Sequence, residues 1–128
     1  MTVVGDFEDT TLQLLRGARE VEIETAAGED APRHRTVIWV VVDERDRPFI
    51  RSVRGPIARW YREARSEPAV ALLVGGRRIP VRAVPASDPE RVDSASRALR
   101  TKYASSRASL AAMLRDETLP TTLELRPG

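Results

Sequence analysis

Arginines are concentrated in one short part of the chain, where fifteen residues hold five of them: Arg51, Arg54, Arg59, Arg62 and Arg65. A guanidinium group is a rigid fork of N–H donors that matches the oxygens of a phosphate or carboxylate. Pro56 is suited to the first turn of a helix, whose free N–H groups also attract anions. The pattern therefore predicts an anion site with Arg51 and Arg59 as ligands. The alternative is a solvated helix face, which we prefer for Arg62 and Arg65.

Other kinds of chemistry lack the residues that they need. The chain has no cysteine and one histidine, His34. Disulfides, thiolate catalysis, cysteine-based metal sites and a multi-histidine metal site within one chain are therefore excluded. The sequence places His34 in a polar turn before a strand, and no role is assigned to it. Any redox chemistry would have to come from a bound cofactor.

Composition limits the class of protein. The 128 residues include 21 basic and 19 acidic side chains, which gives a net charge of +2. This length fits a single domain over residues 1–128, and the nearly balanced charge argues against a nucleic-acid partner. The longest apolar run, residues 37–42, is far shorter than the roughly 20 residues of a membrane span. The first residues contain no basic segment typical of a secretion signal, so we expect a cytoplasmic protein without membrane contact.

Hydrophobic periodicity predicts six strands. The segment 35–42 is apolar on both faces after its first residues, which predicts a central strand covered on both sides. Two hairpins are predicted, the second with Gly75 and Gly76 in its turn and with Pro80 marking an edge or a bulge. The full set of predicted strands is 21–25, 35–42, 49–52, 70–74, 77–84 and 121–125.

Three helices and one shorter helical piece are predicted around these strands. Asp9 is expected to cap the first, Pro56 to begin the second, and Ser87 with Glu90 to form a capping box for the third. Hairpin connections cannot make a parallel sheet, so the fold class is mainly β (α+β), a six-stranded antiparallel barrel with flanking helices. The predicted helical ranges are 10–18, 56–66, 88–103 and a piece around residues 110–113.

Four stretches then occur in a fixed order: residues 35–42 (RTVIWVVV), 49–52 (FIRS), 59–60 (RW) and 66–73 (SEPAVALL). This ordered set resembles the pyridoxamine 5′-phosphate oxidase-like, FMN-binding split β-barrel superfamily. Together with residues 77–83, it is similar to an uncharacterised small branch of that superfamily. The resemblance covers residues 20–85 and implies a homodimeric split β-barrel with FMN between its two barrels.

The same resemblance implies a set of cofactor-binding residues. Arg35 would meet the flavin, and the strand that follows would face its ring. Arg59 would be the phosphate-binding arginine at the helix start, with Trp60 where the family usually has a lysine. Core packing is an equal alternative for Trp39 and the favoured one for Trp60. The implied cofactor-binding set is Arg35, Thr36, Val37, Ile38, Trp39, Arg51, Ser52, Arg54, Arg59 and Trp60.

The implied function is that of an FMN-dependent oxidoreductase acting on an unknown small-molecule substrate. No catalytic side chain and no metal ligand is assigned, because a flavin supplies its own redox chemistry. One alternative is a deazaflavin-dependent reductase of the same fold, since a longer acidic cofactor tail would suit the same arginines. The other is a non-catalytic, cofactor-free split-barrel binding protein.

Overall fold

The computed structural model describes residues 7–128, so most of the N-terminal stretch used to predict the compartment lies outside it. The helices of this part are α1 (Asp9–Gly17), α2 (Arg59–Ser66), α3 (Pro89–Lys102) and α4 (Arg107–Met113). Its strands are β1 (Val21–Ala26), β2 (Arg33–Ile38), β3 (Val41–Val42), β4 (Pro48–Ile50), β5 (Ala69–Val74), β6 (Arg77–Pro85) and β7 (Leu123–Pro127). Two short 3₁₀ turns cover Gly55–Ile57 and Leu119–Thr121.

The strands form one antiparallel sheet in the order β2-β1-β5-β6-β7-β4-β3. Its two outermost strands, β2 and β3, follow each other in sequence with only Trp39 and Val40 between them. Such a connection spans at most about 10 Å of extended chain. The sheet must therefore curl until its edges come close, which produces a half-barrel.

The prediction of one central strand over residues 35–42 was wrong, and the sheet has seven strands where six were expected. Those residues form two edge strands with a bend at Trp39 and Val40. Ile38 and Val40 pack inside the barrel, whereas Val41 packs in a second cluster beneath α3, and Val37 is 57% exposed. From Ile38 onward the run is apolar because alternate residues face two different cores: Ile38, Val40 and Val42 pack on one, and Trp39 and Val41 on the other.

Helix starts also differ from the predictions. Glu8 precedes α1 without a side-chain cap, and α2 begins at Arg59 because Ala58 is extended (φ −60°, ψ 134°). Pro56 instead lies in the preceding 3₁₀ turn. At α3 the capping residue is Asp88, whose carboxylate accepts a hydrogen bond from the Arg91 N–H at 3.2 Å. The side chain nearest the free N–H groups, rather than the first polar one, therefore makes the cap.

The remaining elements agree with the sequence patterns. The β5–β6 hairpin turns at Gly75 and Gly76, whose φ angles of 58° and 75° favour glycine. Pro80 lies where β6 extends beyond β7, which begins to pair only at Val81, so its missing N–H interrupts no ladder. No helix among residues 7–128 combines the length and apolar character that crossing a bilayer requires.

Candidate functional site

A cavity of about 760 Å³ lies between the β2 edge, the segment that links β4 to α2, and α4. Its volume is within the range of about 300–1,000 Å³ that small-molecule sites occupy. The cavity is lined by Glu20, Thr36, Val37, Ile38, Trp39, Arg51, Ser52, Val53, Arg54, Ala58, Arg59, Trp60, Ala108, Ser109, Ala112 and Met113. Three segments that are distant in sequence therefore build one site.

Nine of the ten residues implied by the resemblance line this cavity. Arg35 does not, because it projects from β2 toward Glu24 on β1, where its Nε lies 3.4 Å from Glu24 Oε2. Glu24 also accepts hydrogen bonds from Arg33 at 3.0 Å and from Arg78 at 2.9 Å. Arg35 therefore belongs to an ion-pair cluster on the outer face of the sheet.

Trp39 lies at the bend between β2 and β3 and is half-buried. Tyr103 stacks on its indole ring, with centroids 3.7 Å apart and planes 3° from parallel. The Tyr103 hydroxyl donates to the Arg19 carbonyl at 2.8 Å, which fixes the phenol from its far end. Trp39 is thus a rigid apolar wall of the cavity rather than a loop residue free to turn.

Arg51 lines the cavity but is only 2% exposed. It donates to Thr122 Oγ1 (2.8 Å), the Met113 carbonyl (3.2 Å), the Val92 carbonyl (2.8 Å) and Ser96 Oγ (2.9 Å). All four acceptors are neutral, so no carboxylate neutralises the guanidinium directly. Burial, with the nearby charge of Arg100, lowers the pKa of Arg51 to about 10, which leaves it charged at neutral pH.

Ser52, a member of the implied cofactor-binding set, is 1% exposed. Its hydroxyl donates to the Gly55 carbonyl at 2.7 Å, and its N–H donates to Thr121 Oγ1 at 3.0 Å. Gly55 has φ +73°, a conformation that favours glycine in this turn. The Ser52 hydroxyl therefore uses its hydrogen bond within the turn that contains Arg54.

Arg54 and Arg59 are both exposed at the cavity, and neither has a hydrogen-bond or ion-pair partner among residues 7–128. In α2 the Arg62 N–H bonds to the Ala58 carbonyl at 3.1 Å. The preceding N–H groups of the first turn have no acceptor within the helix. Two exposed guanidinium groups and a helix start therefore contribute to the same cavity, an arrangement that suits an anion.

Trp60 also lines the cavity but is 6% exposed and packs edge-on against Tyr61, with ring centroids 6.1 Å apart. It belongs to the main core, as the packing alternative predicted.

A helical piece was predicted around residues 110–113, but nothing in the sequence indicated that α4 would form a wall of the cavity, with Ala108, Ser109, Ala112 and Met113. Small residues on a short helix carry no chemical signal, so only the fold could reveal them. His34 was also misplaced, because it lies within β2 rather than in a turn.

With this geometry established, comparison with family models gives a match over residues 11–125 to a family described as "Uncharacterized protein conserved in bacteria (DUF2255)". The chain belongs to the DUF2255 family. No curated protein matches the sequence.

Solved structures similar to this DUF2255 chain share its fold at low sequence identity. An F420-H2 dependent reductase (FDR-A) has a TM-score of 0.61 and 14% identity, over 84% of this chain and 93% of that one. A proposed pyridoxamine 5′-phosphate oxidase from Listeria innocua has a TM-score of 0.58 and 16% identity, over 92% and 89%. HutZ, the heme storage protein from Vibrio cholerae, has a TM-score of 0.62 and 10% identity, over 96% of this chain and 91% of that one.

The fold of this DUF2255 protein is therefore the split-barrel fold that these solved structures share. At these identities the likeness establishes the fold alone. Function must be argued from the cavity.

Proposed function

We propose that this DUF2255 protein binds a flavin-type cofactor, FMN, in the cavity and uses it as an oxidoreductase on a small-molecule substrate. The observation that carries the proposal is the gathering of nine cofactor-binding candidates around one cavity. They come from β2, from the segment after β4 and from the start of α2, which nothing but the fold brings together. Solved structures of flavin-type proteins with the same fold support it.

The residues present fit FMN. Val37, Ile38 and Trp39 offer an apolar wall for a planar ring, while Arg54 and Arg59 offer free donors for a phosphate. The buried charge of Arg51 adds a positive potential from behind, where the low-dielectric interior screens it little. When bound, FMN supplies the redox chemistry for which the chain has no side chains of its own.

A homodimer that covers the mouth of the cavity is part of this proposal. Val37, Val53 and Ile57 are the exposed large hydrophobic residues of the described chain, at 57%, 41% and 68%. Val37 and Val53 line the cavity, and Ile57 precedes the lining residue Ala58. An apolar patch around a binding site favours burial against a partner, and a second copy would also shield the cofactor from water. The cytoplasmic location expected from the sequence belongs to the same proposal.

A deazaflavin is the second candidate, because the exposed side chains of Arg54 and Arg59 in the cavity would also suit a longer acidic tail. The similarity to an F420-H2 dependent reductase supports it. A cofactor-free binding protein is the third candidate and would apply if neither cofactor binds.

The test is an absorbance and fluorescence titration of the purified protein with FMN and, separately, with F420. We expect saturable binding of one of them and a roughly tenfold to hundredfold weaker affinity in Arg59→Ala, which removes a charge-assisted donor. Arg62→Ala is the matched control, since Arg62 is exposed on the same helix but does not line the cavity. Equal loss in both variants would contradict the assigned site, and binding of neither cofactor would leave only the cofactor-free protein.

A further inference from the structure

A second cavity, of about 530 Å³, lies between α1, the turn that joins β3 to β4, and α3. It shares no lining residue with the cavity proposed to bind a flavin-type cofactor. One of its lining residues is Lys102, the single lysine among the 21 basic residues of the sequence. A guanidinium group stays charged, whereas an amine that loses its proton becomes a nucleophile. The second cavity therefore contains the one side-chain amine of the protein.

The amine of Lys102 is held by backbone atoms. Nζ donates to the Leu15 carbonyl of α1 at 2.8 Å and to the Val40 carbonyl, in the bend between β2 and β3, at 2.7 Å. Among residues 7–128, no carboxylate forms an ion pair with Nζ, and the side chain is half-buried. A lysine that served only as a surface cation would be exposed or paired with an acid. Lys102 is neither.

The groups around Nζ lower its affinity for a proton. The charged or titratable side chains nearby are Arg16 of α1, Arg19 before β1, Asp43 and Glu44 of the β3–β4 turn, Arg97 of α3 and the adjacent Tyr103. Both carboxylates are engaged by arginines, Asp43 by Arg47 and Glu44 by Arg97. Tyr103 is uncharged, because burial raises the pKa of its phenol to about 12. Burial, with the nearby charge of Arg19, lowers the pKa of Lys102 to about 8.

The neutral amine keeps the contacts of the charged one. It still carries two N–H groups, one for each of the Leu15 and Val40 carbonyls, so losing the third proton breaks neither hydrogen bond. The lone pair takes the remaining direction around Nζ. With a pKa of about 8, roughly one-tenth of Lys102 is neutral at pH 7, against roughly 0.04% of an ordinary lysine. Lys102 is therefore a nucleophile near neutral pH.

The same cavity offers charge for an anionic reagent. Arg16 and Arg97 line it with side chains 43% and 57% exposed, and they pair with Asp46 and Glu44. Exposed ion pairs of this kind are weak, so a phosphate group competes for the two guanidinium groups. A small acyl phosphate therefore suits the cavity, because its anionic end matches the arginines and its carbonyl carbon is the electrophile that an amine attacks.

We propose that Lys102 is a covalent modification site, at which a small acyl phosphate transfers its acyl group to Nζ. The lone pair of the neutral amine forms the new C–N bond, and the bond between the acyl carbon and the phosphate oxygen breaks with its electrons on the oxygen. Inorganic phosphate leaves, and the proton lost by the nitrogen passes to water. Nothing is oxidised or reduced, so the acyl phosphate is the sole co-reactant.

Acylation releases the bend between β2 and β3. The amide nitrogen of an acylated lysine is uncharged and carries one N–H, so it no longer serves both the Leu15 and the Val40 carbonyls. Val40 is buried, and a buried carbonyl that loses a donor is destabilising. Its neighbour Trp39 lines the first cavity. Modification of Lys102 therefore weakens cofactor binding there, a consequence that rests on the proposed function.

The first measurement is the rate of acetylation by acetyl phosphate, followed by mass spectrometry of peptides. Arg100→Lys adds an ordinary exposed lysine to α3 and keeps the charge, which gives each molecule its own reference. At pH 7 we expect Lys102 to react at least about tenfold faster than this reference, because far more of it is neutral. Peptide mapping also separates both lysines from the N-terminal amine.

The pH profile distinguishes a reactive amine from a merely accessible one. The rate at Lys102 should rise with pH and level off above about pH 9, where nearly all of it is neutral. The reference lysine should keep gaining rate to about pH 11. Both lysines share one solution, so any change of the reagent with pH cancels from the ratio of their rates.

The second measurement is the effect of acetylation on the fold and on the first cavity. Acetylated protein should melt at a lower temperature than untreated protein and bind the flavin about tenfold more weakly. Lys102→Arg is the matched control, since it keeps several N–H donors and has no amine to acylate, so the same treatment should change neither property. In the wild type, both losses should follow the acetylated fraction of Lys102 and not that of the N-terminal amine, a comparison that needs no variant.

The outcomes are distinct. A rate at Lys102 no higher than that of the reference lysine, or a profile still rising at pH 10, would overturn the modification site. Acetylation of Lys102 that left the melting temperature unchanged would overturn the release of the bend. Failure of the untreated protein to bind any flavin would overturn the proposed function, while the rates and melting temperatures would still decide the role of Lys102.

Discussion

The guanidinium group of Arg51 joins parts of the molecule that are far apart in sequence. From the end of β4 it reaches α3 through Val92 and Ser96, the end of α4 through Met113, and Thr122 just before β7. A single side chain therefore fixes the wall behind the cavity. No carboxylate contacts its charge, which therefore adds a positive potential in the cavity.

Replacing Arg51 by methionine should destabilise the fold by about 2–4 kcal/mol, because buried acceptors lose their donors while similar volume is kept. Urea unfolding at neutral pH measures this change. Arg54→Met is the matched control, since Arg54 is exposed and has no partner among residues 7–128, and it should stay within about 0.5 kcal/mol of wild type. Equal effects of the two variants would contradict the structural role of Arg51.

Asp43 holds the turn that joins β3 to β4 and is 2% exposed. It accepts hydrogen bonds from the Arg45 and Arg47 N–H groups, Arg47 Nε and Ser94 Oγ at 2.7–3.0 Å. Burial alone would raise the pKa of Asp43, but the bonds from Ser94 and Arg47 lower it. The folded pKa is thus below the unfolded value of about 3.9, so the stabilisation is complete above that pH and is lost on acidification through the folded pKa.

Asp43→Asn should therefore cost about 2–4 kcal/mol near neutral pH, and its difference from wild type should shrink as the pH falls below about 4. Free energies of unfolding of the variant and the wild type, measured across this pH range, test both the size of the difference and the direction in which it changes with pH. Asp46→Asn is the control, because Asp46 lies in the same turn with its side chain 62% exposed. A difference between Asp43→Asn and wild type that did not change with pH would count against the account.

At the scale of elements, the C-terminal end of α3 positions the bend between β2 and β3. Lys102 Nζ donates to the Leu15 and Val40 carbonyls at 2.8 and 2.7 Å, and Tyr103 stacks on Trp39. One helix end thus holds α1, the bend and the aromatic wall of the cavity together.

Tyr103→Leu should remove the stacking partner of Trp39, destabilise the fold by about 3–4 kcal/mol and weaken flavin binding, because the Trp39 wall loses its support. Tyr103→Phe keeps the ring and loses only the hydroxyl contact, so it should cost about 1–2 kcal/mol and leave flavin affinity close to wild type. Thermal unfolding and flavin titration of the pair measure both effects. Flavin affinity lost equally in both variants would show that the stacking is not what matters.

The elements also show where sequence reasoning succeeds and fails. The alternation of β1 and the glycines of the β5–β6 hairpin are local signals, and both elements formed as predicted. The bend at Trp39 and Val40 was not predicted, because apolar residues for two separate cores look the same as a strand buried on both faces. Similarly, Pro56 is compatible with a 3₁₀ turn as well as with an α-helix, so sequence could not place the start of α2.

For the whole molecule, the cavity depends on tertiary closure. Most cofactor-binding candidates could be named from an ordered motif, yet Arg35 faces the other side of the sheet and the place of α4 in the cavity wall was not predicted. Lys102 and Leu15 lie 87 residues apart, so only the fold brings them together.

The proposed dimer is testable at the same scale. Ile57→Asp places a charge on the most exposed large hydrophobic residue beside the cavity, and should convert a dimer into monomers without lowering the melting temperature. Sedimentation velocity measures the change, with Gln13→Asp on the exposed face of α1 as the control. A wild-type monomer, or a dimer that tolerates Ile57→Asp, would contradict an interface at the mouth.

The most direct test of the account is a crystal structure of the protein saturated with FMN. The account predicts the flavin ring against Val37, Ile38 and Trp39, with its phosphate between Arg54 and Arg59. FMN bound instead on the outer face of the sheet beside Arg35, or a cavity left without flavin at saturating concentration, would contradict it.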